Sequence, residues 1–67
     1  METPTQTLNR LTNQVFWNDP PYSSLTQAVR DRRGYWMDGQ RYPANSLSKA
    51  EVRETLRDMM QEDGVEW

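Results

Sequence analysis

Sixty-seven residues allow one domain at most, and a hydrophobic share of 34% with a mean hydropathy of −1.07 leaves little apolar material for its core. The chain has neither histidine nor cysteine, which excludes disulfides, thiolate metal sites and histidine-based acid–base chemistry. A net charge of −2 and a pI near 4.9 argue against a surface for extended duplex DNA, which needs a basic face.

Burial stabilises by roughly 25 cal/mol per Å² while ordering costs about 1.5 kcal/mol per residue, so a chain this short sits near balance. With no covalent reinforcement, self-association or a larger protein partner that completes the core is expected. No apolar run approaches the roughly 20 residues of a membrane span. The opening Met1-Glu2-Thr3-Pro4 has neither the basic nor the apolar region of a secretion signal. These features predict a cytoplasmic chain with no membrane contact.

Thr3 followed by Pro4 reads as an N-cap with proline in the first helical position. Leu8, Leu11 and Val15 follow at spacings of three and four, which predicts a helix over about 4–16. Asn18-Asp19-Pro20-Pro21 then forms a break, 18–22, that no helix crosses. Phe16, Trp17 and Tyr22 flank it, and the simplest expectation is that their rings fold back to close the core. A proline–aromatic patch docking on a partner is the other.

Ser24-Leu25-Thr26-Gln27 matches a capping box, with Leu25, Ala28 and Val29 as the buried stripe of a helix over about 25–33 and Gly34 at its stop. Tyr35-Trp36-Met37, Asp38-Gly39 and Gln40-Arg41-Tyr42 predict a β-hairpin, because both central residues of a type I′ turn need positive φ. Pro43 ends the second strand. So short a ribbon is unstable alone and is expected to lie on the helices.

Past the break at Pro43-Ala44-Asn45-Ser46, Ser48 and Glu51 make a second capping box, and Leu47 with Val52 has the spacing of a hydrophobic staple. Val52, Leu56, Met59 and Met60 share one face of a helix over about 49–62, closed by Asp63-Gly64 and followed by an acidic tail, 63–67. The fold class is therefore α+β: a single small domain ordered helix, helix, β-hairpin, helix.

Catalysis has little to work with. Lys49 sits in the first turn of an exposed helix, and no glycine cluster cradles a phosphate. Glu51, Glu54, Asp58 and Glu62 fall at spacings that could align oxygens for a cation. Arg53 and Arg57 are interleaved with them, which is the pattern of a salt-bridged solvent face. No catalytic residue, metal site or cofactor is expected.

The middle of the chain stands out. Arg30, Arg32, Arg33 and Arg41 surround Tyr35, Trp36 and Tyr42, and seven of the eight basic residues are arginine. Arginine forks onto carboxylate or phosphate and stacks on rings, and Arg, Trp and Tyr dominate binding hot spots. These seven residues form the candidate partner-binding set. The plainer account of Trp36 is a core plug kept soluble by the arginines. The basic stretch 30–41 and the acidic 58–67 also suggest association of one copy with another, basic patch on acidic tail. Trp67 would dock either on its own chain or on a second one.

The helix–hairpin–helix order over residues 24–62, with its Asp38-Gly39 turn, resembles the plan of the small head-completion proteins of lambdoid phages. The resemblance includes no shared functional motif, and the N-terminal helix departs from it. It implies a structural subunit of a particle and, for a phage-encoded chain, the host cytoplasm. The expected function is a small non-catalytic protein-binding module of the phage or mobile-element kind, an inhibitor or assembly factor. The alternatives are nucleic-acid or nucleotide binding through the Arg/aromatic hairpin, or the particle subunit.

Overall fold

The computed structural model describes residues 1–44 and 46–65, and contains three helices and one antiparallel hairpin. Helix α1 runs Pro4–Phe16, α2 Ser24–Arg32 and α3 Lys49–Glu62, while β1 is Tyr35–Met37 and β2 Gln40–Tyr42. The helix–helix–hairpin–helix order read from the sequence is the one observed.

Capping fixes where each helix starts. Thr3 accepts from the Gln6 amide and Gln6 reaches back to the Thr3 amide, a full capping box ahead of Pro4. Ser48 and Glu51 do the same for α3. Helix α2 departs from expectation. Its cap is Ser23, whose backbone is extended and whose hydroxyl accepts from the Thr26 amide, so Ser24 is the first helical residue and the Ser24–Gln27 box does not form. At the other end of α3, Gly64 at φ 88° lets its own amide reach the Gln61 carbonyl and the Val65 amide reach Met60, a Schellman closure.

Helices α1 and α3 form the main packing pair, and α2 leans on α3. Leu8, Val15, Val29, Val52 and Leu56 are the buried apolar core, with Leu11, Phe16, Leu25, Leu47, Met59 and Met60 packed half-buried around it. Each helix also buries one threonine. The Thr12 hydroxyl donates to the Leu8 carbonyl at 2.6 Å and that of Thr55 to the Glu51 carbonyl at 2.8 Å, while Thr26 shares a 3.0 Å bond with Ser23. With the hydroxyl so satisfied, threonine presents its methyl to the core at no unpaired polar cost.

The break after α1 contains a cis Pro20–Pro21 bond. The rings beside it do not act together, as the core-closing expectation required. Phe16 packs on the core, but Trp17, edge-on to it at 4.8 Å, is 72% exposed. Glu66 and Trp67 lie outside the described residues, and with them the question of where Trp67 docks. No helix among the described residues is long and apolar enough to cross a membrane.

Candidate functional site

The hairpin is built by its turn. Asp38 at φ 53° and Gly39 at φ 77° adopt the left-handed pair of a type I′ turn, which sets the register Tyr35↔Tyr42, Trp36↔Arg41 and Met37↔Gln40. Alternation then places Tyr35, Met37, Gln40 and Tyr42 on one face, with Trp36 and Arg41 on the other. The two tyrosine rings stack at 5.7 Å, and the Tyr42 hydroxyl donates to Gln40 Oε1 at 3.0 Å.

The ribbon does not lie on the helices. Tyr35 is 47%, Trp36 70% and Met37 51% exposed, and only Tyr42 is half-buried. Trp36 is therefore no core plug. The buried core cluster comes from the three helices, and among the described residues the hairpin is tied to α2 through Arg41 and the start of the segment after β2. There the open carbonyls at the end of α2 take its donors: Ala44 N–H donates to the Arg30 carbonyl at 3.1 Å, and Arg41 Nη2 donates to the Asp31 carbonyl. Gly34 makes the approach possible, because a β-carbon there would run into the Tyr42 carbonyl.

The four arginines do not gather with the aromatics. Arg32 bonds Glu62 on α3 at 2.6 Å, which raises its guanidinium above an already high ordinary value. Arg33 donates from Nε to the Thr55 hydroxyl at 2.6 Å and pairs with Glu54 at 3.3 Å, so both brace α2 against α3. Arg30 lies over the Tyr22 ring, 4.3 Å from its centroid. Arg41 alone of the four stands beside Trp36. The candidate set thus divides into a hairpin group (Tyr35, Trp36, Arg41, Tyr42), an α2–α3 brace (Arg32, Arg33) and a separate position at Tyr22 (Arg30).

The same geometry bears on the charge pattern of α3. Glu54 pairs with Arg33, and Arg53 donates to Asn9 of α1 at 3.3 Å, so these side chains tie helices together instead of pairing along α3. Basic 30–41 and acidic 58–67 meet within the chain at Arg32–Glu62. Among the described residues no cluster of three acidic side chains is arranged to hold a metal ion.

Met37 is an exposed residue that the candidate set left out. Its signal was present, since period-two alternation places it on the face of Tyr35. Comparison with protein-family models, with curated proteins and with solved structures finds no match to this chain.

Proposed function

We propose that the chain is a small non-catalytic protein-binding module, of the inhibitor or assembly-factor kind, whose docking element is the hairpin 35–42. The observation that carries this reading is the exposure of both faces of a ribbon fixed to the end of α2, with Trp36 on one face and Tyr35 and Met37 on the other. Large apolar side chains left in water on a small scaffold mark a contact surface. Arginine beside tryptophan is a hot-spot composition, and a ribbon held by a tight turn loses little conformational freedom on docking. The docking group is Tyr35, Trp36, Met37, Arg41 and Tyr42, with Arg32 and Arg33 fixing the frame behind it. A chain without histidine or cysteine supports the non-catalytic part of the reading.

Affinity purification of the tagged chain from host lysate, run beside Trp36→Ala and Tyr35→Ala/Met37→Ala variants, tests it. A stoichiometric protein lost from the variants, with circular dichroism unchanged, is the expected result. Retention of that protein by both variants moves the site elsewhere, and co-purifying RNA or nucleotide reassigns the exposed rings to base stacking.

A further inference from the structure

The ribbon has two edges as well as two faces, and only one of the edges is protected. A two-residue type I′ turn makes Met37–Gln40 the closing hydrogen-bonded pair and Tyr35–Tyr42 the next, so Trp36 and Arg41 face each other with no backbone bond between them. The Trp36 amide and carbonyl therefore point outward, away from β2. No other bond among the described residues reaches these two groups. Charge and proline are the usual means of keeping such an edge free. Strand β2 has both, Arg41 within it and Pro43 at its end, and its Tyr42 is half-buried. Strand β1 is Tyr-Trp-Met, uncharged and exposed throughout.

We infer that the β1 edge pairs with the same edge of a second copy, antiparallel about Trp36, giving a two-fold dimer with one continuous four-stranded ribbon. The backbone is self-complementary in this register. Each Trp36 amide donates to the Trp36 carbonyl of the other copy, and the outer edges left over are the two protected β2 strands, so the contact closes at two copies. The side chains match as well. Each Tyr35 faces Met37 of the second copy on one side of the ribbon, a ring–thioether contact. On the other side the two indoles meet, each with Arg41 of its own chain beyond it. Charge selects the direction. Asp38, which has no ion pair in its own chain, comes opposite Gly34 of the second copy, at the arginine-rich end of α2. The two Asp38 residues lie four positions apart along the ribbon, roughly 14 Å, beyond the ~8 Å screening length. Parallel pairing would set them side by side. A two-stranded ribbon that lies on no helix lacks neighbours, and a second copy supplies the third and fourth strands. The inference goes beyond the docking reading, because it uses the ribbon's edge and leaves both faces open.

Chemical synthesis of the full chain with the Trp36 amide N-methylated tests it. The methyl removes the edge donor and blocks strand approach, while every side chain and every bond between β1 and β2 is kept. In sedimentation equilibrium the parent is expected to rise from 8.0 kDa toward twice that mass between about 10 µM and about 1 mM, as a small interface does. The N-methyl chain is expected to stay at 8.0 kDa throughout. In a mixture of ¹³C-labelled and unlabelled parent, isotope-filtered NOEs are expected between the Tyr35 ring of one copy and the Met37 methyl of the other. The inference is overturned by a parent mass constant to about 1 mM, by an N-methyl chain that associates like the parent, or by filtered NOEs confined to other surfaces. Where the N-methyl chain loses its dispersed spectrum, the filtered NOEs on the parent decide alone. Capture of a foreign protein under the docking reading depends on side chains that N-methylation keeps, so the two readings fail separately.

Discussion

Leu56 of α3 is almost wholly buried, while Trp36 of β1, a larger side chain with more apolar surface to hide, is 70% exposed. The contrast extends to the whole of both regions. The helical trio buries short aliphatics and threonines and ties its surface with cross-helix bonds from Arg32, Arg33 and Arg53. The hairpin concentrates aromatic residues, hides almost none of them, and is joined to α2 through backbone carbonyls. Stability thus rests on the helices, and under the proposed function recognition would rest on the hairpin, so each should be alterable without the other.

The sharpest way to break that division is a pair of truncations. Leu56→Ala is expected to cost about 2–5 kcal/mol, enough to unfold most of so small a domain. Trp36→Ala, which removes more atoms, is expected to stay within roughly 0.5 kcal/mol. Urea unfolding followed by far-UV circular dichroism measures both. Comparable losses would mean that the hairpin carries part of the core.

Gly34 is where the two regions join. A β-carbon there meets the Tyr42 and Asp31 carbonyls, backbone that cannot swing aside as a side chain would. Gly34→Ala is expected to cost about 1–3 kcal/mol, confined to the hairpin, as overpacking does elsewhere. Amide exchange resolves the outcome: protection lost in 35–42 and kept in the three helices. Uniform loss across the chain would show the ribbon and helices to be one cooperative unit.

Thr55 tests the brace instead of the hinge. Its hydroxyl accepts from Arg33 Nε and donates to the Glu51 carbonyl, so Thr55→Val leaves the volume and removes both bonds. A loss of about 1–2 kcal/mol is expected, since an Arg donor is left without its acceptor. A double-mutant cycle with Arg33→Met isolates the pair. Additive effects would show that the bond adds nothing to the packing of α2 on α3.

What the sequence made legible follows the locality of each cause. Helices at 4–16 and 49–62 were readable because cap, proline and apolar spacing lie within a few residues of one another. The hairpin was readable because Asp38-Gly39 dictates its own turn. The α2 start was ambiguous because Ser23 and Ser24 both have the chemistry of a cap, and only the backbone decides. Thr12 and Thr55 give no apolar signal, yet each lies three or four positions from a core aliphatic and bonds its own helix. The destinations of Arg30, Arg32 and Arg33 depend on where α1 and α3 lie beside α2, which no local pattern records. Alternation likewise told the two faces of β1 apart without saying that both would be exposed.

The smallest effect expected is in the acid limb of stability, and it belongs to the helical region alone. The Ser48 amide, with help from the Ser48 hydroxyl, holds the Glu51 carboxyl below the usual carboxylate range. Arg10, and then Thr7, do the same for Glu2 ahead of α1. A carboxylate whose pKa is depressed on folding contributes stability that is present above its unfolded value, about 4.3 for glutamate, and lost as pH falls through the lower folded value. Melting temperature is therefore expected to decline on acidification below about pH 4.3 in part through these two groups. Glutamine can occupy the third position of a capping box, so Glu51→Gln keeps the bond to the Ser48 amide while removing the titration. The Glu2→Gln/Glu51→Gln chain should melt close to the parent at pH 7 at moderate salt, because both groups are exposed, and should lose less on acidification. The hairpin residues 35–42 should show no change in amide exchange across the same range attributable to these substitutions. A double variant that follows the parent over the whole acid limb would mean that neither cap is coupled to folding.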